Sequence, residues 1–206
     1  MLAMTLLAYP LAVHGLIAAG HVRGAVLLMA LLAVGNVLLA RRAPVLLAIS
    51  AALGVAAIAS LVFGTDFALR LPPLLINLVL GFTFAASLRR RSTPIVAGLM
   101  RLERGDALPP PLAQLARRYT LAWCLFFLLS AVLGAVLALY APLAQWSLFN
   151  NVGYFVLLLG LLVLQYVYRG MRYPQFGWPA PGRLVRRLNE PQGRAEFAAV
   201  WGGGSR

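Results

Sequence analysis

Apolar residues run along this chain in long blocks separated by short polar interruptions. Six blocks, at residues 2–19, 24–40, 44–63, 71–88, 119–141 and 148–168, each have a length that lets an α-helix cross a hydrocarbon layer, for which about 17 to 25 residues suffice. The interruptions are "GHVR", "RRA", "GTDFALR" and "PLAQWS", together with one longer loop over residues 89–118. After Tyr168 the blocks stop. The pattern predicts an all-α integral membrane helical bundle of about six transmembrane helices. Residues 1–168 form the transmembrane domain, and residues 169–206 an Arg-rich tail, partly disordered and ending in "WGGGSR". No Lys or Arg precedes the first block and no small-polar cleavage segment follows it, so it reads as a retained span and not a signal peptide.

The loop has a pattern of its own. In "TPIVAGLMRLERGD" the residues Ile95, Leu99 and Leu102 recur at helical spacing, after Thr93 and Pro94, which suit a cap and a first turn. Gly105 and the "LPPP" that begins at Leu108 end the run. A short helix is expected here, either lying in the membrane interface or packed on the bundle.

Composition agrees with the block pattern. The chain is 62% hydrophobic and 11% charged, whereas soluble domains carry roughly a quarter charged residues. All 18 basic residues are arginine, set against five acids, for a formal net charge of +13. If the N-terminus is cytoplasmic, the only arginines left outside are Arg23 and Arg70. The positive-inside rule then puts both termini in the cytoplasm. Arg89, Arg90, Arg91, Arg101, Arg117 and Arg118 become a lipid-surface or docking set facing the anionic inner leaflet, and nucleic acid is not expected as a partner. At the start of the fifth block, Tyr119 and Trp123 are expected to anchor at the interface.

Chemistry-bearing residues are few. One cysteine, Cys124, makes no internal disulfide, and with two histidines it is a poor zinc set, so no metal or cofactor is expected. Within an apolar helix that thiol should be inert. Polar groups inside spans are costly and so become candidates by default. His14 is a relay or a histidine bonded to a neighbouring helix, and Asn77 and Gln165 are read as glue between helices. Asp66 and Arg70, four apart, either pair to order a loop or mark an entry point. Asn150 and Asn151 cap the last block or face a cavity. No His-x4-Asp, Gly-x-Ser-x-Gly, P-loop or dinucleotide-binding glycine pattern occurs, and no enzyme is predicted. Ser130, Gly134 and Ala138, like Ser50 and Gly54, form small-residue stripes suited to close helix packing.

Several of these residues together resemble a known family. Thr93-Pro94-Ile95, Leu108-Pro109, Ala122-Trp123 with Phe126-Phe127, then Trp146 and Phe149, together with Asp66, Arg70 and Pro72, resemble the intracellular septation protein A family. "RRYT", "AW", "FF" and "APLAQWSLFN" look more like a sister group of small membrane proteins encoded within aryl-polyene (xanthomonadin-type) pigment clusters of Gram-negative bacteria. The likeness covers roughly residues 66–174, with Tyr9-Pro10 adding to it. It implies an inner-membrane location and an accessory role beside fatty-acid-synthase-like enzymes that build an aryl-polyene lipid. A ketosynthase label sometimes given to such proteins is not supported by Cys124.

The leading expectation is a non-catalytic scaffold for biosynthesis or export of an aryl-polyene-type lipid or pigment, holding acidic acyl-carrier enzymes at the membrane through its basic loop and tail. The alternatives are a septation or cell-envelope interaction protein, and a small transporter or lipid flippase whose polar cavity would connect His14, Asn77 or Asn150.

Overall fold

A computed structural model describes residues 11–28, 31, 54, 58, 66–89, 92–105 and 107–201, and these contain helices and turns but no strand. Of the blocks at 2–19, 24–40 and 44–63, only residues 11–19, 24–28, 31, 54 and 58 are described. What is described of the first two is helical at 11–18 and 22–28. Between these segments Gly20 adopts φ +77°, and its N–H bonds to Ile17 O while the His21 N–H bonds to Leu16 O. That is a glycine-terminated helix end, which only a residue free of a Cβ penalty makes easily.

From residue 66 on, seven α-helices are described: α1 (Asp66–Ser87), α2 (Ile95–Arg104), α3 (Pro110–Tyr140), α4 (Leu143–Leu148), α5 (Tyr154–Arg172), α6 (Pro181–Asn189) and α7 (Pro191–Trp201). A π-helical turn, Phe149–Gly153, joins α4 to α5. Among the described residues three stretches are long and apolar enough to cross a membrane: Arg70–Ser87, Pro110–Tyr140 and Leu143–Arg172. They match the blocks at 71–88, 119–141 and 148–168, and the protein is accordingly a helical membrane protein. Leu129, Val132 and Leu139 on α3, and Val156, Val163 and Leu164 on α5, are exposed, as residues that meet lipid should be.

Helix boundaries shift from the sequence expectation for identifiable reasons. α3 begins at Pro110, so the last part of the 89–118 loop is helix. A proline in the first turn lacks only an N–H that would have gone unpaired there anyway. Leu108 and Pro109 lead into it. "PLAQWS" forms α4 behind Pro142, and "DFALR" forms the start of α1.

The chain divides into two units. Unit 1 comprises Met1–Val79 and Leu128–Leu159, and unit 2 comprises Leu80–Phe127 and Gly160–Arg206. In unit 1, Val13, Ile17, Ala25 and Val26 form a buried cluster against Ile76 of α1 and Leu143 of α4. The small-residue stripe on α3 is used for packing: Ser130 is buried, and a Cβ on Gly134 would stand 3.5 Å from Asn150 Oδ1. Ser50 of the other stripe lies outside the described residues. In unit 2, Phe84 packs on Trp123 and Phe127 with ring centroids 6.5 and 5.3 Å apart, and Phe126 meets Trp123 edge-on at 5.7 Å. Such tilted and edge-on pairs each add to the stability gained from area burial alone.

Candidate functional site

Much of unit 2's polar chemistry gathers around the loop helix α2. Ile95, Val96, Ala97, Gly98, Met100, Leu102 and Glu103 are all buried. Of the two placements the sequence allowed, packing against protein holds, and the helix does not float its apolar face on lipid. A Cβ on Gly98 would come within 2.5 Å of Val200 Cγ2 on α7, so the two helices touch at backbone distance. Thr93 is not the cap: the N-cap position is Pro94 and carries no side-chain bond. The first two helical N–H groups are met from other helices instead. Ile95 N–H donates to Ser87 Oγ of α1 at 3.3 Å, and Val96 N–H to Thr120 Oγ1 of α3 at 3.3 Å. Both hydroxyls pass their own protons to carbonyls, Phe84 O and Ala116 O, each at 2.8 Å. Helix ends buried in protein need such partners. Gly105 closes α2 in the left-handed region, φ +81°, with its N–H on Arg101 O.

At the end of α2 lies a buried ion pair. Arg169 Nη1 donates to Glu103 Oε2 at 2.6 Å and Nη2 to Oε1 at 3.3 Å, with both side chains under a tenth exposed. The Ala180 N–H adds a third bond to Oε1 at 2.8 Å. Glu103 thereby ties α2 to the last turn of α5 and to the start of α6. Trp178 assists this closure, its ring lying against Gly170 so closely that a Cβ there would overlap it. Next to the pair, Arg104 Nη1 donates to Phe176 O at 3.1 Å and its guanidinium lies 5.9 Å from the Phe176 ring centroid. An open cleft of about 370 Å³ is lined by Glu103, Arg104, Arg183, Arg186, Arg187 and Glu190.

Of the six arginines expected at a lipid or docking surface, Arg89, Arg101, Arg117 and Arg118 are exposed, while Arg90 and Arg91 lie outside the described residues. Arg169 is different in kind, and sequence reasoning counted it only among the tail's charges. One local signal did exist: Glu103 follows Leu99 by four positions, which puts it on the apolar face of α2, where a lone carboxylate requires a cation.

Several of the residues behind the family resemblance make packing contacts and hydrogen bonds between helices. Trp123 and Tyr119 are buried and do not anchor at a lipid interface, because both are held by Gln165 of α5. Trp123 Nε1 donates to Gln165 Oε1 at 3.0 Å, and the Tyr119 hydroxyl to Gln165 O at 2.8 Å. Gln165 thus acts as glue between helices, as its position implied. Cys124 is buried, its Sγ 3.6 Å from Gly81 O. Trp146 is buried in α4, and Phe149 opens the π turn.

Unit 1 holds the remaining candidates. His14 Nδ1 lies 3.1 Å from Ser147 Oγ on α4, so its partner is another helical segment. Asn151 Nδ2 donates to Ser147 Oγ at 3.1 Å and to Ser147 O at 3.0 Å, while Asn150 Nδ2 donates to Trp146 O at 3.0 Å. These two asparagines do not cap the last helix, since the chain is already helical from Leu143. They serve carbonyls four residues back. Asn77 Nδ2 donates to Pro73 O at 2.8 Å within its own helix, and its Oδ1 is buried with no partner among the described residues. Arg70 Nη1 reaches Ala138 O at 2.6 Å, Ala141 O at 2.9 Å and Leu137 O at 3.4 Å. It therefore caps the C-terminus of α3, where a cation also meets the negative end of the helix dipole. Asp66 is the first residue of α1, and its side chain lies outside what is described. Among the described residues no three His, Cys, Asp or Glu side chains gather to hold a metal ion. No family model, curated protein or solved structure matches this chain.

Proposed function

We propose that this chain is a non-catalytic membrane scaffold that uses its basic loop and tail to hold acidic soluble enzymes, acyl-carrier proteins and their partners, at the membrane. In this reading the membrane is a bacterial inner membrane, crossed about six times, with both termini in the cytoplasm. The pathway served is synthesis or export of an aryl-polyene-type lipid or pigment. The observation that carries it is the joining of α2 to the tail. Gly98 packs on Val200, and Glu103 binds both Arg169 and the Ala180 N–H, so the two most arginine-rich segments support one another. A folded support presents Arg101, Arg183 and Arg186 from ordered helices, which favours recognition of an acidic surface over diffuse attraction. A transport path draws less support, because Asn77 and Asn150 each donate to their own helix.

The test is removal of residues 181–201 from the chromosomal copy of the gene. Loss of pigment and release of the carrier enzymes into the soluble fraction is the expected outcome. Unchanged pigment with unchanged enzyme localisation refutes the scaffold reading, and septal enrichment of a fluorescent fusion with altered cell length would instead favour an envelope or division role.

A further inference from the structure

The cleft of unit 2 goes beyond that reading. Arg183, Arg186, Arg187 and Glu190 follow one another at intervals of three, one and three residues, so they share one face of α6 and its end. That face and the end of α2 line the same cleft, so Arg104 brings a fourth guanidinium to it. Like charges gathered this way repel one another, and little in the cleft offsets them. Glu103 is already committed to Arg169 and Ala180. Glu190 stands 3.8 Å from Arg187 in a half-exposed pair, too long for a hydrogen bond. Arg104 is held by Phe176 O, yet its Nε is buried with no acceptor among the described residues. The cleft therefore contains one buried donor without an acceptor, the Arg104 Nε, and more guanidinium charge than the Glu190 carboxylate offsets.

We infer that this cleft binds a phosphate group, as a phosphomonoester or diphosphate. Four arginines line the cleft, and the Glu190 carboxylate has only two oxygens with which to answer them. A terminal phosphate offers three oxygens and up to two negative charges, which suits several arginines at once. Arg169, the partner of Glu103, belongs to the last turn of the apolar stretch Leu143–Arg172, close to where a lipid headgroup would lie. The same chemistry is offered by a soluble phosphate.

The experiment uses the full chain in nanodiscs. One arm titrates inorganic phosphate and pyrophosphate into discs of zwitterionic lipid, with acetate as the carboxylate control. The other compares thermal stability in zwitterionic discs with that in discs containing phosphatidic acid. Arg183→Gln/Arg186→Gln is the test variant. Both side chains are exposed, so folding should survive. Arg23→Gln, at an exposed position outside the lipid-surface and docking set, removes charge elsewhere. Binding or stabilisation should be weakened by at least about tenfold in the test variant and by less than about twofold in the control, as loss of charge-assisted bonds at one site requires. Saturable binding of pyrophosphate identifies a soluble ligand, and a response confined to phosphatidic acid identifies a headgroup. Equal loss in both variants, binding of acetate as tight as that of phosphate, or no response in either arm overturns the inference.

Discussion

Glu103 and Arg169, 66 positions apart in sequence, form a bidentate ion pair shielded from solvent and further bonded by the Ala180 N–H. Removing one member of such a pair leaves an uncompensated buried charge, which costs about 3–5 kcal/mol. Glu103→Gln should therefore destabilise unit 2 by about that amount and expose the tail arginines to trypsin. Replacing both with apolar residues, as in Glu103→Leu/Arg169→Met, should cost less than Glu103→Gln alone, because no charge is stranded. Detergent-titrated unfolding of the parent, Glu103→Leu, Arg169→Met and the double variant measures the coupling. Additive losses would show that the pair contributes nothing as a pair.

Gly98 meets Val200 at a distance no side chain tolerates. Gly98→Ala is expected to cost about 1–3 kcal/mol by overpacking. Val200→Ala should restore part of that loss in the double variant, although alone it is mildly destabilising. Tail protection from proteolysis provides the readout, and a failure of Val200→Ala to rescue would place the tail elsewhere than against α2.

Trp123 reaches Gln165 through a hydrogen bond between α3 and α5. Trp123→Phe keeps a ring in the cluster with Phe84 and Phe127 but strands the Gln165 carbonyl oxygen, at a cost of about 1–3 kcal/mol. In a Gln165→Leu background the same change should cost markedly less. A Trp123 that only anchored in lipid headgroups would show no dependence on residue 165.

Arg70 caps α3 through carbonyls 137, 138 and 141. Arg70→Ala should lower stability by about 1.5–3 kcal/mol, the usual range for a hydrogen bond to a charged group. Arg70→Lys should retain part of it, since an ammonium keeps the charge but not the fork geometry. Faster amide exchange in the last turn of α3 locates the effect, and unchanged exchange there would dissociate Arg70 from the cap.

The long helices over the blocks at 71–88, 119–141 and 148–168 were legible because hydropathy over about 20 residues is a local property. α2 was legible for the same reason: Ile95, Leu99 and Leu102 share a helical face, and Gly105 supplies the left-handed stop. Its cap was misread, since Ser87 and Thr120 come from distant sequence and nothing near Thr93 hints at them. The ion pair was missed for the same cause. Arginine counts rank Arg169 with its neighbours, and only tertiary packing separates a buried guanidinium from a surface one. Asn150 and Asn151 looked like a helix start because a π turn resembles a break when only polarity is read.

That π turn has a further implication for an apolar setting. Its ladder runs from the Tyr154 N–H to Phe149 O, one residue longer than an α-turn, and the Asn150 and Asn151 amides donate to Trp146 O and Ser147 O beside it. A widened turn disturbs the regular pairing of backbone groups, and in hydrocarbon there is no water to repair it. Here the side chains of the turn itself add donors to the neighbouring carbonyls, so the irregularity brings its own internal solvation. Its geometry should therefore be indifferent to whether detergent, thin bilayer or thick bilayer surrounds it.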